Sequence, residues 1–495
     1  MSIPVLIVGA GPVGLTLALE LARFQVPVRI IDKSAARTEK SKALAVWSRT
    51  LELLDRSGAS ASLIETGLKM HAVDIVSGRK TIARVAFDEL ASPFPFVLMV
   101  PQSETERVLE EKLRVFGVNV ERNVEFKDFA ETGSDVTCNL VHLDGRKEAV
   151  STDWLIGCDG AHSQIRHQLG MPFEGDTVPG TYILADVHAS GLELPDDEFP
   201  IFWHHDGMVA FFPIGKHRYR VIADLRTGEE REPTLEDVQA IVDQRGPGDV
   251  VLSDCVWIAP FTINERKVKD FRAGKVFLAG DAAHIHSPAG GQGMNTGIQD
   301  AINLAWKLAM VINDDADPGY VLDSYSVERS ENASRVLRDS GRMLRVATMP
   351  NAAAQAVRDF LVHRLLGVEF ISAMAAEQLS ELAVSYDKSP LNGPELPRSD
   401  FPKAGHRISS DFKFGAGDKP RFTLIASEAS GAVARLGAFA DIVEIHAVDR
   451  GNVAGMCLVR PDGYVAMTAE TAGWTDIVAY LSRISPKRSD GNEIQ

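Results

Sequence analysis

The run IPVLIV at residues 3–8, feeding directly into GAGPVG at residues 9–14, constrains the fold of this chain more than any other segment. A short, almost wholly apolar run rich in branched residues suits a strand buried on both faces of a parallel sheet. Gly9 permits a tight turn, Gly11 lets a phosphate approach the main chain, and Gly14 lets the next helix pack close to the strand. Leu15, Ala18, Leu19 and Ala22 then recur at helical spacing. A second strand, PVRIID, ends in Asp32, where a carboxylate can accept hydrogen bonds from ribose hydroxyls. The unit reads as βαβ, and the class as α/β with a Rossmann-type dinucleotide site.

The motif alone does not separate FAD from NAD; a second glycine turn does. In KVFLAGDAAHIHSPAGGQGMNTGIQDAINLAWKLAMV an apolar strand ends at Gly280-Asp281, and Gly290, Gly291 and Gly293 open a long amphipathic helix. Main-chain N–H groups at such a helix start favour an anion, and a reduced flavin carries its negative charge at one edge of the ring. Between the two turns, WLIGCDGAHSQIR adds a strand and an Asp-Gly turn at Asp159.

A chain of 495 residues is long enough for two or three domains and for burying a large cofactor. A net charge of -16 without any Lys/Arg run excludes nucleic acid and anionic membranes as expected partners. Cys138, Cys158, Cys255 and Cys457 form no CxxC pair, which suits a reducing cytoplasm. No apolar run approaches the roughly 20 residues of a membrane span, and the N-terminal run lacks the basic flank of a signal peptide. His284 and His286 are joined by no cysteine or carboxylate cluster in the sequence, so no metal is expected.

Together the three segments resemble the para-hydroxybenzoate hydroxylase family of flavoprotein monooxygenases. GAGPVG is similar to its FAD fingerprint, CDG to its DG motif, and AGDAAHIHSPAGGQGMN to its GD motif. KALAVWSRTLELL and PQSETERVLEEKL resemble two further segments that lie near the flavin. The resemblance implies a cofactor site built from Gly9, Gly11, Pro12, Gly14, Asp32, Lys33, Lys42, Arg49, Gln102, Asp159, Asp281, Pro288, Gly291, Gly293, Met294 and Asn295. Pro288, Gly290 and Gly291 would line the flavin face, and Asp281 would hold the ribityl or phosphate end. Lys42 stands where the family has an arginine, keeping the charge and losing the bidentate fork.

The implied activity is hydroxylation of a phenolic or polycyclic aromatic substrate with NADPH or NADH and O2, through a flavin C4a-hydroperoxide. Epoxidation, Baeyer-Villiger insertion on a polyketide-like substrate, and a non-catalytic flavin-binding role stay open as alternatives. No catalytic base is identified; His204, His205, Tyr182 and Arg220 have suitable chemistry near the expected cavity.

By the coarse pattern, residues 1–70, 100–175 and 265–345 form the FAD-binding domain. Residues 71–99 and 176–264 form an interleaved β-sheet substrate domain whose aromatics, Phe202, Trp203, Phe211 and Phe212, suit a flat ligand. Residues 346–392 form a helical connection that breaks at the start of the proline-rich linker SPLNGPELPRSDFP. The remainder, 393–495, resembles the thioredoxin-like C-terminal domain of larger family members, structural or oligomeric because it has no CxxC. A homodimer is compatible with that role.

Overall fold

The computed structural model describes residues 3–38, 43–78, 80–133, 135–192, 194–225, 232–349, 351–366, 368–396, 399–409, 412–426, 435–447 and 455–489. Strand β1 (Ile3–Val8) lies inside an eight-stranded sheet and pairs in parallel with β2 (Val28–Asp32) on one side and β3 (Lys147–Gly157) on the other. β3 pairs in parallel with β4 (Val276–Leu278), so strands from three distant parts of the chain share one direction. Their carboxyl ends converge, and in open α/β sheets that is where ligands bind.

Helix α1 (Pro12–Arg23) covers the sheet and packs against α2 (Gly293–Ile312), the helix opened by the second glycine turn. The packing depends on Gly14, where an added Cβ would stand 2.0 Å from the carbonyl oxygen of Gly9. Next in the chain is α3 (Pro318–Ala347), started by Asp317, whose side chain accepts from the Tyr320 N–H at 2.7 Å.

A second, seven-stranded sheet joins Ala72–Ser77 and Lys80–Ala86 to Thr181–Ser190, Glu198–His204, Gly207–Gly215, Arg218–Leu225 and Val251–Phe261. Side chains alternate across it. Phe202 and Phe211 fall on the face packed into the sheet's own core, meeting edge-on at 6.0 Å. Phe199, Ile201, Trp203 and Phe212 fall on the other face, toward the cofactor sheet. The four aromatics noted in the sequence are therefore split by parity between core and cleft.

Helices α4 (Ala352–Leu366) and α5 (Glu369–Leu379) close over that open face. Beyond them a four-stranded sheet runs in the order Val443–Ala447, Phe422–Ala426, Met456–Val459, Val465–Ala469, backed by a helix at Trp474–Ile484. It shares a core with α2, where Trp306 meets Phe422 edge-on at 5.9 Å.

Four charges are sealed in that contact. Arg460 donates to both oxygens of Glu328 at 2.7 and 2.9 Å and to Asp462 at 2.6 Å, while Lys307 donates to Glu328 at 2.8 Å. Burial works against the Glu328 carboxylate, but Arg460 and Lys307 outweigh it and hold its pKa far below the usual range. Burial pushes the Lys307 ammonium down to about 8. Among the described residues no helix is long and apolar enough to cross a membrane.

Candidate active site

A cleft of about 950 Å³ lies between the two large sheets. Its nucleotide half is made of Gly11, Pro12 and Val13 at the start of α1, Cys158 and Gly160 after β3, and Ala279 and Asp281 after β4. Gly290, Gly291, Gly293 and Met294 at the start of α2 complete it, with Gln102 beside them. Neither α1 nor α2 has a side chain capping its first turn, so both present main-chain donors at their starts. At Gly11 an ideal Cβ would meet nothing within 4 Å, which leaves the approach to α1 open. Two uncapped helix starts on one cleft fit a ligand with a pyrophosphate at one end and an electron-poor ring at the other.

The loop before α2 is braced from behind. Gly290 and Gly291 have φ of 87° and 64°, a left-handed pair that only glycine adopts without strain. The Trp47 indole N–H donates to Gly290 O at 2.8 Å. Asn295 accepts from Trp47 N at 2.9 Å and donates to Ala45 O and Gly291 O, also at 2.9 Å. Asn295 thus shapes the loop instead of facing the cleft.

Asp32 ends β2 against the first turn, accepting from Ala10 N and Ser34 N at 2.7 Å each, with exposed Lys33 next to it. One Asp159 oxygen accepts from Gln164 N at 2.8 Å, capping a short helix; the other is buried without a partner. Gln102 lines the cleft, its amide donating to Glu106 at 2.9 Å. Lys42 lies outside the described residues.

Arg49 is placed elsewhere than the sequence expectation put it. Its guanidinium donates to Glu52 at 2.9 Å and to Asp462 O at 2.8 Å, and lies 4.8 Å over the Tyr464 ring, so it ties the helix Ser48–Leu54 to the turn between Met456–Val459 and Val465–Ala469. The base candidates are corrected too. Arg220 lines the cleft but forks onto Asp186 with two 2.8 Å bonds, so its guanidinium is committed to that carboxylate. Tyr182 stacks on Phe261 outside the cleft, and burial pushes its hydroxyl up to about 12. His204, the last residue of the strand Glu198–His204, and His205 have ring centroids 3.9 Å apart at a tilt of 43°, and neither lines the cleft. With Asp206 they place three ligand-type atoms within 4.8 Å of one another, a grouping unforeseen in the sequence.

The sequence reading missed the support beneath the GD turn. Asp300, fully buried on α2, accepts from Gly280 N at 3.0 Å, from His284 at 2.7 Å and from Arg329 at 2.6 Å. Burial opposes its charge, but Arg329 and His284 outweigh this and keep its pKa below the usual range. The signal was present: Gln299-Asp300 are polar residues at otherwise apolar helix positions. His286 lines the cleft with Nδ1 2.9 Å from Ser287 O; as a carbonyl only accepts, that nitrogen carries the proton. Burial pushes the His286 pKa down to about 4, so the ring is neutral.

Glu381 accepts from Thr296 at 3.0 Å and Gln299 at 2.6 Å, and burial pushes it from 4.5 up to about 8. A carboxyl raised on folding stabilises below its unfolded pKa, and that contribution is lost as pH rises through the folded value. Between about pH 4.5 and 8, wild-type stability therefore carries a falling component, which Glu381→Gln is expected to remove. Unfolding midpoints measured across this range should show a flatter profile in the variant.

Fold and site define a flavoprotein with a Rossmann-type nucleotide site and a roofed ligand compartment. Residues 2–340 match the FAD binding domain family. The chain is 33% identical to 6-methylpretetramide 4-monooxygenase of Streptomyces rimosus, over 97% of this chain and 93% of that protein. It is 34% identical to pentachlorophenol 4-monooxygenase of Sphingobium chlorophenolicum, over 68% and 64%. The solved structure of an anhydrotetracycline hydroxylase from Streptomyces rimosus superposes with a TM-score of 0.80 at 29% identity, covering 98% of this chain and 99% of that one. The chain belongs to the FAD binding domain family and is an FAD-dependent aromatic monooxygenase. NAD(P)H and O2 are the co-substrates typical of such enzymes.

Proposed function

We propose that this enzyme hydroxylates an extended, polycyclic phenolic substrate. The observation that carries the reading is the second half of the cleft, where Val73, Ile75, Phe199, Ile201, Trp203 and Phe212 form a continuous apolar wall facing the α2 loop. Such a wall suits a flat, multi-ring ligand more than a single polar ring. The tetracycline-type names of the relatives point the same way.

Bound in the cleft, FAD would supply the two-electron chemistry by which NAD(P)H and O2 deliver one oxygen atom to the ring and one to water. The turn shaped by Gly9 and Pro12 would turn the main-chain donors of Gly11, Val13 and Gly14 toward the pyrophosphate, Asp32 with Lys33 would address the ribose, and Gln102, Asp159 and Asp281 would flank the middle of the cofactor. Pro288, Gly290, Gly291, Gly293 and Met294 border the ring, with Asn295 holding their loop. The apolar wall and the α4–α5 cover position the substrate and keep bulk water out.

We assign residues 1–70, 100–175 and 265–345 to the FAD-binding domain, 71–99 and 176–264 to the substrate domain, 346–392 to the connection and 393–495 to a thioredoxin-like domain. What supports the last is its strand order, with a parallel pair (Phe422–Ala426 with Val443–Ala447) extended by two antiparallel strands and a closing helix. The free cysteines fit a cytoplasmic location, and the exposed Phe360 and Phe370 on α4 and α5 fit a homodimer.

The test is NAD(P)H oxidation by the FAD-loaded protein against simple phenols, hydroxybenzoates and polycyclic phenols. A polycyclic phenol should accelerate oxidation most and give a product one oxygen atom heavier. Preference for a single-ring phenol, or acceleration that yields only H2O2 with every compound, would refute the reading.

A further inference from the structure

Among the described residues two guanidinium groups line the cleft, and they differ in what holds them. Arg220 is buried and committed to Asp186 through two hydrogen bonds. Arg342, on α3, is 71% exposed, and its nearest carboxylate, Asp339, lies 3.9 Å away, beyond hydrogen-bond reach. Asp339 is itself engaged, accepting from the Gln378 amide at 2.8 Å. Arg342 stands beside Met343 and Val346 of the same helix, across from Gln378 and Leu379 of α5, at the end of the compartment formed by α3 and its cover.

A cation with no hydrogen-bonded carboxylate at the border of an apolar chamber suits a ligand with a negative group best. The molecule as a whole, at -16, repels anions. A local cation is thus the means by which an anionic substrate would be drawn in and held in one orientation. We propose that Arg342 is a specificity-determining residue that pairs with an anionic substituent, a carboxylate or an ionised enol or phenol, on the substrate. Resting on the polycyclic-phenol reading above, this adds polarity to it: the anionic end is held at α3 and the opposite ring is presented to the flavin.

The experiment uses the FAD-loaded protein and a matched pair of probes, a hydroxynaphthoic acid and its methyl ester, titrated by the change in flavin absorbance. Wild type should bind the acid more tightly than the ester. Arg342→Gln should reduce that preference by about tenfold, and Arg342→Lys should recover part of it. Raising the salt concentration should narrow the wild-type preference. An acid-to-ester ratio unchanged in Arg342→Gln overturns the inference while leaving the polycyclic-phenol reading intact. A raised KM for NADPH with an unchanged ratio overturns it as well, assigning the arginine to the reductant's phosphates. If neither probe perturbs the flavin of wild type, the polycyclic-phenol reading falls and the inference with it.

Discussion

Arg460→Met is expected to lower the unfolding free energy by about 3–5 kcal/mol, because it removes one member of a sealed four-charge cluster and leaves the others in place. Glu328 and Asp462 would then share Lys307 as the remaining cation, with Asn303 and Trp306 donating at 2.7 and 3.1 Å as neutral partners. The ammonium of Lys307 cannot replace a guanidinium that reaches Glu328 through two nitrogens and Asp462 through another bond. Thermal or urea unfolding of the FAD-loaded protein measures the loss. Adding Glu328→Gln to Arg460→Met should restore a substantial part, since it removes the stranded charge. A single variant as stable as wild type would show that the cluster is not sealed from water.

The second large effect separates binding from folding. Gly11→Glu should weaken FAD binding by at least about a hundredfold, because a carboxylate a few ångströms from the pyrophosphate costs about 4 kcal/mol at an effective dielectric constant of about 20. The apoprotein should be no less stable, since the position has space for a side chain and a negative group at a helix start is favourable. Gly14→Ala should do the reverse, destabilising the apoprotein because its methyl group collides with Gly9 O at 2.0 Å. Fluorescence titration with FAD and apoprotein unfolding measure the two quantities independently. Retention of FAD by Gly11→Glu would remove the first turn from the cofactor site.

The glycine turns that border the cleft were legible in the sequence because what they offer is main-chain chemistry. Glycine spacing and the strand-to-helix transition specify where N–H groups point, and Gly11, Pro12, Gly291 and Gly293 all reach the cleft. The substrate half depends on side-chain parity and on partners far away in the chain. Phe202 and Phe211 could not be told from Trp203 and Phe212 without strand register. That Arg220 is held by Asp186 could not be seen until the register placed the two opposite each other. Arg49 sits within a segment that resembles a cofactor-contacting one, yet the carbonyl that claims it comes from Asp462, which no local pattern announces.

Helix α2 starts at the flavin loop and, roughly 20 Å further along at 1.5 Å per residue, carries Asn303, Trp306 and Lys307 into contact with Asp462 and Glu328. One rigid rod therefore has its tip in the active site and its shaft embedded in the C-terminal sheet. Residues 2–340, the part that matches the family, are consequently not a detachable module in this protein. Severed from the C-terminal sheet, they would expose Glu328 and Lys307 without Arg460 and strip the packing from the flank of Trp306, so damage at the tail would be felt at the glycine loop that borders the cleft.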